Sequence, residues 1–96
     1  MYNLSLSPEF LDALGEYEDY LNEQRPESGY EFAAAVADQL DRIELNPEVY
    51  QRRYGENRAA IVPKFKHVIY YELVGTEVRV KMIYHGRQQP DLDELQ

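Results

Sequence analysis

Hydrophobic and polar positions are sorted most clearly between Lys64 and Arg87, KFKHVIYYELVGTEVRVKMIYHGR. The Val-, Ile- and Tyr-rich runs on either side of Gly75-Thr76 predict two strands joined by a two-residue turn, with glycine first as type II′ geometry prefers. A continuous register from that turn sets Leu73 opposite Val78, Tyr71 opposite Val80, Ile69 opposite Met82 and His67 opposite Tyr84 on a core face. The other face then pairs Glu72 with Arg79, Tyr70 with Lys81, Val68 with Ile83 and Lys66 with His85, a mixed and largely basic surface. A slip of one residue would carry Glu72 into the core, so the sorting itself argues for this register.

Upstream, Tyr2, Leu4 and Leu6 alternate with polar residues and predict a short half-buried strand. Ser7-Pro8-Glu9 supplies a capping hydroxyl, a proline at the first helical position and an acid in the first turn. Phe10, Leu14, Tyr17 and Leu21 then mark one face of a helix, with Asp12, Glu16, Asp19 and Glu23 on the solvated side. Pro26 and Gly29 break the pattern, and Ser28 with Glu31 has the spacing of a capping box for a second helix. Its apolar stripe is Phe32, Val36, Leu40 and Ile43, with Ala33 and Ala37 permitting close helix approach, and Leu45-Asn46-Pro47 ends it. Glu48 to Asn57 reads as a polar connection and Arg58 to Pro63 as a strand. The predicted order is β-α-α-β-β-β, an α+β fold in which an antiparallel sheet packs against a helical hairpin, with residues 1–96 forming one domain.

Composition narrows the class. Hydrophobic residues make up 44% of the 96 positions, enough for one core and too many for a disordered chain. There are no cysteines, which excludes a disulfide framework and thiolate chemistry. Neither a membrane-spanning run nor a targeting signal is evident, so the cytoplasm is the expected compartment. The net charge of −8 conceals an asymmetry. Residues 1–51 hold 2 basic and 12 acidic side chains, residues 52–87 hold 8 and 3, and residues 88–96 hold none and 3. The acidic half opposes nonspecific nucleic-acid binding, while the basic segment suits a local anionic ligand or an acidic partner.

No phosphate-binding loop, zinc-protease motif or nucleophile elbow occurs. The continuous register puts His67 and His85 on opposite faces, so no shared metal, and no cofactor, is expected. His67 opposite Tyr84 fits either a hydrogen-bonded pair at the core edge or general acid–base work. Gly86-Arg87-Gln88-Gln89 forms an exit loop that aims polar groups off the sheet.

The element order, the Ser7-Pro8 helix start, Leu45-Asn46-Pro47, the strand from Phe65 to Tyr71 and Ile83-Tyr84-His85-Gly86-Arg87 together resemble the RelE/ParE toxin superfamily over nearly the whole chain. The resemblance implies the toxin of a type II toxin–antitoxin pair, neutralised by a small cognate antitoxin. RelE-like members cut mRNA on the ribosome with a set of basic side chains and a C-terminal Tyr. An ungapped match puts that set at Arg58, Ala60, His67, Arg87 and Asp93, where Ala60 and Asp93 replace a Lys and the Tyr. ParE-like members inhibit DNA gyrase without such a centre, and the His-Gly-Arg ending looks closer to them. The expected function is therefore ParE-like gyrase inhibition, with ribosome-dependent mRNA cleavage and a non-toxic, partner-binding member of the fold as the alternatives. Lys66, Arg79, Lys81 and Arg87 are the expected antitoxin-binding residues.

Overall fold

The computed structural model describes residues 1–95 of the chain. Strand β1 (Asn3–Leu6) leads into helix α1 (Pro8–Gln24), which turns back through helix α2 (Ser28–Leu45). A 3-10 turn at Pro47–Val49 precedes β2 (Arg52–Tyr54), β3 (Asn57–Ile61), β4 (His67–Val74) and β5 (Glu77–His85), and a second 3-10 turn covers Leu92–Leu95. The strands form one sheet in the order β1-β5-β4-β3-β2. Only β1 runs parallel to its neighbour; the other pairings are antiparallel. The α+β architecture expected from the pattern is present, with one additional strand.

That strand, β2, lies within the stretch read as a polar connection. Arg-Arg-Tyr has no apolar alternation to announce it, and its pairing with β3 is irregular. Two arginines on an exposed edge also discourage another chain from pairing there.

Helix α1 starts as expected: the Ser7 hydroxyl accepts the Phe10 amide at 3.0 Å, and Pro8 occupies the first turn. Helix α2 does not use the expected capping box. Ser28 is already helical, and Glu27 precedes it in a left-handed conformation with φ 69° and no side-chain cap. Asn22 reaches over from α1 instead, accepting the Gly29 amide at 2.8 Å. Glu31 pairs with Arg25 at 2.8 Å. The switch follows from how closely the helices cross: a Cβ on Gly29 would lie 2.6 Å from both Asn22 Nδ2 and Glu18 O.

The core lies between the helical hairpin and one face of the sheet. Phe10, Phe32, Val36 and Ile43 from the helices meet Ala60, Val62, Ile69, Tyr71, Val78, Val80 and Ile83 from the strands. Each large apolar side chain removed from water there contributes about 1.5–3 kcal/mol.

The β4–β5 register corrects the continuous one. Near the turn the pairs are Leu73 with Val78, Glu72 with Arg79 and Tyr71 with Val80, as expected, and Gly75 has φ 62°. Beyond Tyr71 the register shifts by one, so Tyr70 faces Met82, Ile69 faces Ile83, Val68 faces Tyr84 and His67 faces His85. Lys81 is the extra residue of a β-bulge. The cause is non-local: the Ser7 hydroxyl, besides capping α1, donates to the Lys81 carbonyl at 2.7 Å. The bulge inverts the sorting along the second half of β5. Ile83 enters the core, and Tyr84 turns to the opposite face with Val68, Tyr70 and Leu95.

Candidate functional site

The bulge brings the two histidines together. His67 and His85 share a face, with ring centroids 5.1 Å apart, where the continuous register had them on opposite sides. Tyr17 from α1 and Phe32 from α2 pack on His67 at 4.6 and 4.7 Å. His67 is only 4% exposed, and its Nδ1 lies 2.7 Å from the Phe65 carbonyl. A carbonyl only accepts, so Nδ1 carries the proton in the neutral ring. Burial lowers the His67 pKa below the usual imidazole value, opposed by the Phe65 carbonyl and aided by His85. The expected partner of His67, Tyr84, is on the other face because of the shifted register.

His85 takes the complementary arrangement. Its Nδ1 accepts the Arg87 amide at 3.1 Å. Tyr17 is tied to the same end of β5: its hydroxyl donates to Gln88 Oε1 at 2.7 Å and accepts the His85 amide at 3.1 Å. Burial raises the Tyr17 pKa, with the His85 amide working in the opposite direction.

Above this polar cluster a cleft of about 630 Å³ opens between the C-terminal half of α1 and the turn from Lys64 to His67. Tyr20, Leu21 and Phe65 give it apolar walls, and Lys64 and Lys66 stand on its rim with Glu16. Both lysines have left-handed backbones, with φ 75° and 58°. For any residue that carries a Cβ this conformation is strained, and such strain gathers at binding surfaces. The turn is held by Val62 donating to the His67 carbonyl at 2.7 Å and by Gly86 donating to the Lys66 carbonyl at 2.7 Å. A Cβ on residue 86 would lie 2.6 Å from that carbonyl oxygen, which is why glycine follows His85. A mostly apolar concavity of this size, with a few convergent polar groups, is the usual form of a binding site.

The residues singled out from the sequence are divided among several places. Lys66 and exposed Arg87 are both at the cleft end of the sheet, where the residue before Arg87, Gly86, donates to the Lys66 carbonyl. Arg79 is near the opposite, hairpin end and pairs with Glu77. Lys81 lies on the second face, 3.5 Å from Glu72 and 3.0 Å from the Leu95 carbonyl. Glu72 therefore pairs with Lys81 rather than with Arg79 across the ladder. The five-position match to a ribonuclease set is equally scattered. Arg58 donates to the backbone carbonyls of Tyr50 and Glu48 at 2.6 and 3.2 Å. Ala60 is fully buried, and Asp93 is in the 3-10 turn that leads to the second face. Arg58 sits opposite Tyr71, four residues along β4 from His67. Among the described residues no three His, Asp or Glu side chains converge as metal ligands. Lys64 and Tyr20 also line the cleft without having been singled out from the sequence, and Gln88 was placed there only as part of the exit loop; the spacing of Tyr17 and Tyr20, with only the first on the apolar stripe, was the available signal.

A helical hairpin packed across one face of a five-stranded sheet matches the ParE-like α+β fold. The family described as ParE toxin of type II toxin-antitoxin system, parDE, matches residues 4–90. The chain belongs to this ParE toxin family. Among solved structures, a chain of the chromosomal ParDE toxin–antitoxin system from P. aeruginosa is similar, with a TM-score of 0.78 and 13% identity. The match covers 88% of this chain and 96% of that one. No curated protein sequence matches the chain. No helix among the described residues is long and apolar enough to cross a membrane.

Proposed function

We propose that the chain acts as a single-domain cytoplasmic toxin that inhibits DNA gyrase and is held inactive by a cognate antitoxin. The family match over residues 4–90 carries this reading. The solved relative comes from a ParDE toxin–antitoxin system, which supports an antitoxin partner here as well. The scatter of Arg58, Ala60, His67, Arg87 and Asp93 lends no support to mRNA cleavage. Two of those groups are spent inside the fold: Arg58 on backbone carbonyls and His67 on the Phe65 carbonyl.

We place the antitoxin surface at the cleft, the groove beside the basic sheet side, with apolar positions of the helical hairpin as its walls. Lys64 and Lys66 offer positive charge beside the apolar walls of Tyr20, Leu21 and Phe65, and exposed Arg87 lies in the chain between the lining residues His85 and Gln88. An acidic segment with an aromatic or aliphatic anchor suits that combination. Arg79 and Lys81, already paired within the chain, have a smaller part.

Induced expression without antitoxin should arrest growth, and co-expression of a cognate antitoxin should relieve the arrest. The purified chain should inhibit gyrase supercoiling and leave mRNA intact on translating ribosomes. Unimpaired supercoiling at saturating protein would sink the gyrase reading. Reversing Lys64, Lys66 and Arg87 to Glu should slow antitoxin association and flatten its salt dependence; unchanged kinetics would move the antitoxin elsewhere.

A further inference from the structure

The floor of the cleft carries two ring nitrogens that the chain itself leaves unused. Nδ1 of His67 is spent on the Phe65 carbonyl at 2.7 Å, and Nδ1 of His85 on the Arg87 amide at 3.1 Å. In each ring the free nitrogen is Nε2. Asn57 Oδ1 is the only sealed side-chain oxygen or nitrogen without a partner among the described residues, so neither Nε2 is sealed, and both open into the cleft that the two rings line. The Tyr17 hydroxyl in the same cluster is already committed to Gln88 Oε1 and to the His85 amide.

The partners of the two Nδ1 atoms give the free nitrogens opposite character. A carbonyl accepts, so His67 Nδ1 holds the proton and Nε2 offers a lone pair; an amide donates, so His85 Nδ1 offers the lone pair and Nε2 holds the proton of the neutral ring. Burial against Tyr17 and Phe32 lowers the His67 pKa and so favours its neutral ring. The floor therefore presents one acceptor and one donor, on rings whose centroids are 5.1 Å apart. One oxygen making two hydrogen bonds of about 2.7–3.0 Å spans groups at that separation.

This pattern sorts the candidate occupants. A metal ion needs a lone pair from each ring, which would turn an N–H of His85 against the Arg87 amide, and no third carboxylate or imidazole converges there among the described residues. A carboxylate only accepts and would set its lone pairs against that of His67, whereas an indole only donates. A hydroxyl does both through one atom. Serine and threonine have one, but they leave the apolar walls of Tyr20, Leu21 and Phe65 uncovered in a cleft of about 630 Å³. A phenol covers the walls with its ring and carries the hydroxyl at its tip.

We infer that the cleft floor reads a tyrosine of the antitoxin segment, whose hydroxyl donates to His67 Nε2 and accepts from His85 Nε2 while its ring lies among Tyr20, Leu21 and Phe65. This rests on the antitoxin reading of the cleft and narrows the anchor from any aromatic or aliphatic group to one. Lys64 and Lys66 on the rim suit acidic neighbours of that tyrosine. A phenylalanine anchor would dry both nitrogens and leave them unpaired, which disfavours it by about tenfold.

The test uses the full chain without antitoxin and three probes of similar size: p-cresol, which donates and accepts, 4-methylanisole, which only accepts, and toluene, which does neither. In titrations followed by nuclear magnetic resonance, p-cresol should bind about tenfold more tightly than either of the others, although toluene is the most apolar. The unprotonated ring nitrogen of His67 should move upfield with p-cresol and stay in place with toluene, a signature that a purely structural histidine lacks. Equal affinities, or a His67 nitrogen unmoved by p-cresol, overturn the inference and leave the antitoxin reading to the charge reversals at Lys64, Lys66 and Arg87. His85→Phe keeps a ring and removes the donor. With an unchanged near-ultraviolet dichroism spectrum it should bring the p-cresol and toluene affinities together, and a preference that survives overturns the inference. The complex co-purified with its antitoxin should take up no p-cresol and should show the His67 nitrogen already upfield. A complex that excludes p-cresol with that nitrogen unmoved keeps the antitoxin in the cleft and overturns the tyrosine. Uptake equal to that of the free chain overturns the occupant together with the antitoxin reading of the cleft.

Discussion

The hydroxyl of Ser7 donates to the carbonyl of Lys81 while accepting the amide of Phe10, so one side chain caps a helix and pins a bulge on a strand 74 residues away. Replacing it with Ala removes both bonds. The loss of the cap alone costs about 0.5–2 kcal/mol, and the Lys81 carbonyl loses its partner as well. Ser7→Ala should lower the thermal midpoint by about 4–12 °C, measured by circular dichroism. Ser7→Thr, which keeps the hydroxyl, should recover most of it.

Gly86 and Lys66 are joined by a bond whose geometry excludes a side chain. Gly86→Ala puts a Cβ 2.6 Å from a backbone oxygen that has no flexible end to swing away. The variant should lose about 1–3 kcal/mol in urea unfolding, and its amide should lose protection from exchange. An unchanged midpoint would show that the turn at Lys64–His67 yields freely.

His67 sets a pH dependence. Its pKa is depressed in the folded chain by burial, so the unfolded chain binds a proton there at higher pH than the folded one. Stability from this group is complete above the ordinary imidazole value of about 6.5 and falls as pH drops from there toward the lower folded value. His67→Asn retains a donor for the Phe65 carbonyl and lacks the titration. Unfolding free energies between pH 7.5 and 5 should therefore fall less steeply for the variant than for the unsubstituted chain.

Tyr71 is fully buried and donates to the Pro47 carbonyl at 2.6 Å, tying the turn after α2 to the middle of the sheet. Tyr71→Phe keeps the ring and strands the carbonyl. A loss of about 1–3 kcal/mol in chemical denaturation is expected. Cleft residues are remote from this contact, so antitoxin binding by the folded variant should be unaltered.

How far the sequence could be read follows the range of each interaction. The Ser7 cap of α1 and the pairs from Leu73–Val78 to Tyr71–Val80 depend on neighbours in the chain or on the adjoining turn, and they were legible. The bulge at Lys81 was not, because its cause lies at the opposite end of the chain. From that single residue came the errors at Met82, Ile83, Tyr84 and His85, since a shift of one exchanges the two faces of a strand. The capping of α2 failed for a similar reason: Asn22 arrives from another helix. Lys66 was grouped by charge with Arg87 in the sequence, whereas Lys64, Tyr20 and Gln88 line the cleft with Lys66 only because α1, the Lys64–His67 turn and the end of β5 meet there. Lys81 carried the right charge for a binding surface, but Glu72 and the Leu95 carbonyl claim it.

The parallel pairing of β1 with β5 has a consequence for synthesis. Leu6 lies beside Val80, so the first strand made has its place only beside the last. At roughly 5–20 residues per second a ribosome needs on the order of 4–15 s to travel between those two positions. For that interval Ser7 has no Lys81 carbonyl to hold and β1 has no β5 beside it. The cleft lining runs from Glu16 to Gln88, so a fragment that stops before His85 lacks part of it.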